Sequence, residues 1–131
     1  MNSDKLIAVI DDEPDFLITV SSILKRKGYK VVTGSASSVV NSILEKNPDL
    51  ILLDINLPGE SGLEICRQVK SGIGTKDIPV IIVSGNADIR HGYAACNADN
   101  FLQKPFAVPQ LINVISESIE GTVNDNGKDA Y

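Results

Sequence analysis

Basic residues are in deficit in this sequence. Twelve Lys and Arg stand against 17 Asp and Glu, giving a formal charge of -5 and a pI of about 4.7. A surface that displaces counterions from nucleic acid needs the opposite balance, so no direct nucleic-acid partner is expected. Long apolar stretches are missing as well. The purely apolar runs reach about five residues, against roughly 20 for a bilayer-spanning helix, so no membrane partner is expected either. The opening Met1-Asn2-Ser3-Asp4-Lys5 has neither the basic start nor the long apolar core of a secretory signal. Cysteine is scarce: Cys66 and Cys96, thirty positions apart, provide neither a disulfide framework nor zinc-ligand spacing. They read as small apolar packing residues in a reducing cytoplasm. The only histidine, His91, lacks ligand-spaced neighbours and reads as a solvated helix position. No Gly-x-x-x-x-Gly-Lys-Ser/Thr segment is present for nucleotide phosphates.

What is present is an ordinary globular composition, 43% hydrophobic and 22% charged, in 131 residues. That length fits one compact domain, and the composition excludes collagen, coiled coil and wholesale disorder. Five short apolar runs recur: 6–10, 29–33, 50–53, 80–83 and 101–102. The first, third and fourth are continuous rather than alternating, as in strands covered on both faces. Between them lie segments with helical spacing. Phe16, Leu17, Val20, Ile23 and Leu24 make one apolar face, with Pro14 in the first turn, acids Glu13 and Asp15 at the start and Lys25-Arg26-Lys27 at the end. Those charges oppose the helix dipole, and Gly28 reads as the stop. Val39, Val40, Ile43 and Leu44 mark a second helix, and Ser61 to Glu64, with capping-box spacing, opens a third. A fourth is expected over 87–96 and a fifth through Leu111, Ile112, Ile115 and Ile119. Five βα units imply a doubly wound, mostly parallel α/β sheet with helices on both faces. The domain is expected over 1–120, with 121–131 a polar tail or linker stub.

In open α/β sheets, ligands bind beyond the carboxyl ends of the strands. Strand one runs into Asp11-Asp12, strand three into Asp54, strand four into Ser84-Gly85 and strand five into Lys104-Pro105. Asp54 follows four consecutive aliphatic residues, so its charge is costly unless paired. Neighbouring carboxylates also repel and raise a pKa if left alone. A hard divalent cation answers both problems: Mg²⁺ prefers oxygen ligands and binds through one or two carboxylates plus a phosphate. Singly, each group has a bland explanation. The acidic pair suits a helix N-cap, Asp54 a loop cap and Lys104 a solvated surface. Each standing in turn at the end of its own strand, they suit a site for Mg²⁺ and a phosphoryl group.

These residues carry a resemblance. Ile10-Asp11-Asp12-Glu13, Leu53-Asp54-Ile55-Asn56-Leu57-Pro58, Ser61-Gly62, Val83-Ser84-Gly85 and Phe101-Leu102-Gln103-Lys104-Pro105-Phe106 make the chain resemble, over about residues 5–120, the receiver domain of bacterial two-component response regulators. The resemblance implies a flavodoxin-like (βα)5 fold with strand order 2-1-3-4-5, which periodicity alone does not give. It implies that Asp54 is the phosphoacceptor, supplied by a sensor histidine kinase or a histidine phosphotransfer protein. Asp12 would ligate Mg²⁺ directly, Asp11 largely through water, and Asn56 through its backbone carbonyl. Lys104 would pair with a phosphoryl oxygen, Ser84 would bond another, and Phe101 would be the aromatic switch. Lys104-Pro105 would be a cis peptide. The face of the fourth helix, fifth strand and fifth helix would meet a downstream effector. Departures from the commonest pattern are small: Ser84 stands for threonine, Gly85 for alanine, Asn97 for glycine and Phe101 for tyrosine.

Rival functions fare worse. A Mg²⁺-dependent phosphatase with an aspartyl nucleophile wants an acid two positions after it, where Asn56 stands, and a nucleophile after the first strand. A flavin carrier needs a phosphate-cradling loop after strand one, and that loop is acidic. The expectation is therefore a phosphoacceptor that catalyses only its own phosphorylation and dephosphorylation. The alternative is a receiver-like binding module that is seldom phosphorylated.

Overall fold

In the computed structural model the described residues are 4–36, 40–57, 61–85 and 96–124, with side chains described as far as residue 119. The described elements run β1 (Leu6–Ile10), α1 (Pro14–Arg26), β2 (Lys30–Gly34), α2 (Val40–Leu44), β3 (Leu50–Asp54), α3 (Gly62–Ser71), β4 (Val80–Ser84), β5 (Asn100–Gln103) and α4 (Val108–Asn124). The segment expected as a helix over 87–96, His91 included, lies outside the described residues apart from Cys96, so the C-terminal helix is α4 here.

All four strand pairings are parallel, in the order β2-β1-β3-β4-β5. This is the doubly wound, flavodoxin-like order, with a switch point between β1 and β3. Every residue of β3 and β4 is buried. The pleat divides them: Ala8, Ile10, Ile51, Leu53, Val80 and Ile82 face α2 and α3, through Val40, Ile43, Ile65, Cys66 and Val69. Ile7, Val9, Leu50, Leu52, Ile81 and Val83 face α1 and α4, through Val20, Leu24, Leu111, Val114 and Ile115. Two apolar layers explain why these strands read as continuous runs rather than alternating ones.

Local chemistry sets the element ends. Pro14 opens α1 with Asp15 in its first turn and Lys25 and Arg26 in its last, and Gly28 leaves it at φ 94°, a conformation glycine adopts without strain. Strand β2 begins at Lys30 rather than 29, because Tyr29 is still tied to α1 by its N–H on the Leu24 carbonyl, 3.1 Å, with its ring buried. The capping box at α3 is only half made. Ser61 Oγ accepts from Leu63 N at 3.1 Å, one position earlier than a capping box places it, and Glu64 turns to Arg67 instead of back to Ser61. Helix α4 continues to Asn124, past the expected start of the polar tail at 121. With Leu111, Val114 and Ile115 docked, each further residue needs only the cheap propagation step. Asn97 adopts φ 64°, which asparagine tolerates.

Candidate phosphoryl and metal site

Parallel pairing in register brings the strand ends level. Ile10 faces Leu53, Asp54 faces Val83, and Ser84 faces Gln103. One residue beyond these pairs, Asp11 emerges beside Asp54, and Lys104 follows β5. Its N–H donates to the Ser84 carbonyl at 2.8 Å, and the Lys104-Pro105 bond is cis, as the resemblance implies.

The three acids do converge. Asp11, Asp12 and Asp54 each offer an oxygen within 4.8 Å of the others. Their environments differ: Asp11 is 1% exposed and Asp54 6%, while Asp12 is exposed. Each buried acid is oriented by a backbone N–H two residues on. Glu13 N donates to Asp11 Oδ1 at 3.0 Å and Asn56 N donates to Asp54 Oδ1 at 3.1 Å. Such Asx turns fix the carboxylate at the strand exit. The second turn also places the Asn56 backbone beside the acids.

A close approach from α3 holds the end of β3 in place. Gly62 N donates to the Ile55 carbonyl at 2.9 Å. A Cβ at Gly62 would overlap the Asp54 carbonyl oxygen and stand 2.5 Å from Ile55 Cα. Only glycine lets the first turn of α3 lie so close.

Lys104 answers part of the negative charge. Its Nζ donates to Asp11 Oδ2 at 2.9 Å and to Glu13 Oε1 at 3.0 Å. It also sits 4.2 Å from the centre of the Phe16 ring. It reaches Asp54 through space rather than by a bond. Burial pulls this ammonium down, but its hydrogen bonds to Asp11 and Glu13, with the charges of Asp11 and Asp54, outweigh that and leave it above the usual lysine range. Asp54 is held above the ordinary carboxylate value. Burial is the chief cause, and the charges of Asp11 and Asp12 add to it; the Asn56 N–H and Lys104 oppose it. A carboxyl raised by burial, with two further acids beside it, marks a site short of positive charge. Oxygen donors of this kind suit a hard divalent cation such as Mg²⁺.

Of the residues singled out in the sequence, Asp11, Asp12, Asp54, Asn56 and Lys104 are thus gathered at one edge of the sheet. Ser84 is buried at the end of β4, and Phe101, on β5, is half-buried against the α2 and α3 layer. Glu13 and Phe16 were legible only as parts of α1; their contact with Lys104, some ninety positions away, left no local signal. The two cysteines are buried neighbours, Cys66 Sγ donating to the Cys96 carbonyl at 3.4 Å. Burial first, then Cys96, holds the Cys66 thiol up and therefore protonated, as expected of packing residues.

Fold and site together define a class: a doubly wound α/β domain with an acidic, cation-ready pocket at its switch point. The chain belongs to the response regulator receiver domain family, whose model matches residues 7–116. Receiver domains are the phosphoacceptors of two-component signalling. Among relatives, the phosphate regulon transcriptional regulatory protein PhoB of Escherichia coli is 35% identical over 109 residues, covering 81% of this chain and 48% of PhoB. The DNA-binding response regulator MtrA of Mycolicibacterium smegmatis is 30% identical over 107 residues, 81% of this chain and 46% of MtrA. The chain thus spans about half the length of the curated relatives it matches. The expectation of no nucleic-acid partner does not fit them, since one is by name DNA-binding; the acidic charge behind it describes only these 131 residues. Among solved structures, a response regulator receiver domain protein from Clostridium thermocellum superposes with a TM-score of 0.80 at 30% identity, over 90% of this chain and 96% of that one. The receiver domain of a sensor histidine kinase from Pseudomonas aeruginosa PAO1, with a magnesium ion coordinated in its active site cleft, shares the fold (TM-score 0.80, 23% identity, 88% of this chain and 97% of that one). No helix among the described residues is long and apolar enough to cross a membrane.

Proposed function

We propose that this chain accepts a phosphoryl group on Asp54 from a phosphohistidine donor, a sensor histidine kinase or a histidine phosphotransfer protein, and signals by the change that follows. The observation that carries the reading is the acid cluster itself: three carboxylate oxygens within 4.8 Å, two of them on buried residues, offset by one shared amine. The donor set fits Mg²⁺: Asp11, Asp12, Asp54 and the Asn56 backbone carbonyl would hold it. When bound, the ion supplies the charge neutralisation and in-line positioning that phosphoryl transfer chiefly requires.

The remaining steps belong to the protein. An Asp54 carboxylate oxygen attacks phosphorus, the bond from phosphorus to the donor imidazole nitrogen breaks, and the imidazole recovers its electron pair. Lys104 takes one phosphoryl oxygen, and the Ser84 hydroxyl donates to another. The chain turns over no separate substrate; it catalyses its own phosphorylation and the hydrolysis that reverses it. Phe101, lacking a phenolic hydroxyl, responds by packing alone and passes the change to the β5 and α4 surface, where an effector docks. The functional unit is residues 1–120, with helix α4 running on to Asn124 into the tail segment, in a reducing cytoplasm.

Incubation with acetyl phosphate and Mg²⁺, followed by intact-mass analysis, tests this. One phosphoryl adduct is expected on the parent and none on Asp54→Asn. No adduct on the parent would instead favour a binding-only module, and an equal adduct on the variant would remove Asp54 from the role.

A further inference from the structure

Lys104 is more fully engaged than neutralising the acid cluster requires. Its ammonium has three N–H donors. One meets Asp11 Oδ2 at 2.9 Å, one meets Glu13 Oε1 at 3.0 Å, and the ring of Phe16 lies 4.2 Å away. That ring is itself fixed edge-to-face on Phe106, with centroids 6.0 Å apart and planes at 85°. A phosphoryl oxygen on Asp54 would join two acids and a ring already competing for this ammonium.

The two acids are not equally replaceable. The Asp11 side chain is 1% exposed, so withdrawing the amine would strand a buried charge. The Glu13 side chain is 63% exposed, and withdrawing the amine returns its carboxylate to water at little cost. Glu13 also stands immediately before α1 as its N-cap, without a side-chain bond to the helix. Its carboxylate is therefore committed to Lys104 and not to capping.

We propose that Glu13 and Phe16 form a resting seat for Lys104, and that phosphoryl capture proceeds by exchanging the Glu13 carboxylate for a phosphoryl oxygen at the ammonium. No covalent bond changes in this exchange; one charge-assisted hydrogen bond replaces another, while Asp11 and the Phe16 face stay in place. Glu13 is thus a restraining positioning residue and Phe16 a supporting one, both acting through Lys104. The inference rests on Asp54 being the phosphoacceptor.

Two readouts test it on the whole chain. In the metal-free protein, the Lys104 ammonium resonance should shift in Glu13→Gln and in Phe16→Leu. It should stay in place in Asp15→Asn, which removes an equal charge from the same turn. With Mg²⁺ and beryllofluoride as the phosphoryl mimic, Glu13→Gln should bind about two- to fivefold more tightly. Phe16→Leu, which removes a face kept in both states, and Asp15→Asn should both bind as the parent does. An unmoved resonance in Glu13→Gln, binding unchanged or weakened by that substitution, or an equal gain from Asp15→Asn would overturn the exchange. A parent that binds no beryllofluoride, or binds it equally well as Asp54→Asn, overturns the phosphoacceptor reading together with this one.

Discussion

Asp54 carries the tension of the site. Its carboxyl sits above the ordinary value of 3.8, chiefly through burial, with Asp11 and Asp12 adding repulsion against the opposing Asn56 N–H and Lys104. The native state therefore holds the Asp54 proton more tightly than the unfolded chain does. Linkage then makes stability fall as pH rises from near 3.8 through the native value, and the penalty is complete above it. Asp54→Asn removes the penalty. In urea titrations it should be more stable than the parent at pH 7 by on the order of 1 kcal/mol, and the difference should shrink toward zero below the unfolded value. Lys104 works the other way. Lys104→Ala strands Asp11 in the interior, and should cost about 1–3 kcal/mol at neutral pH, measured by the same titration.

Elements place these groups, and the tightest joint is that between β3 and α3. Gly62→Ala drives a methyl into the Asp54 carbonyl and Ile55. It should destabilise by about 1–3 kcal/mol and weaken Mg²⁺ binding as well, because Asp54 and Asn56 shift together; a loss of stability with unchanged Mg²⁺ affinity would count against that coupling. Strands β1, β3 and β4 were legible because each lies between two apolar layers and reads as an unbroken aliphatic run. Their spatial order was not, since pairing between parallel strands is non-local and periodicity is blind to it; the order came from the resemblance. A boundary moved where a neighbour intervened, at Tyr29, which α1 retains; at Ser61 the helix opens as expected and only the capping partner differs, Leu63 N in place of Glu64 N.

At the scale of the whole molecule, positions 11, 54 and 104 meet because parallel strands deliver every carboxyl end to one edge. The acids and the amine were readable from their place after each strand. Glu13 and Phe16 were not, because the helix dipole and the apolar face of α1 already accounted for them. The assembled charge imbalance predicts that Mg²⁺ at ten times its dissociation constant stabilises the fold by about 1.4 kcal/mol. The melting temperature should rise by about 3–6 °C, and most of that rise should vanish in Asp12→Asn. A calorimetric scan with and without Mg²⁺ measures both.

The central claim is that one aspartyl side chain becomes an acyl phosphate. Borohydride reduces an acyl phosphate to the alcohol, so treating the phosphorylated chain and mapping its peptides should find homoserine at Asp54, and only when Mg²⁺ was present during phosphorylation. Homoserine at Asp11 or Asp12 in place of Asp54, or at Asp54 to the same extent without Mg²⁺, would contradict the account.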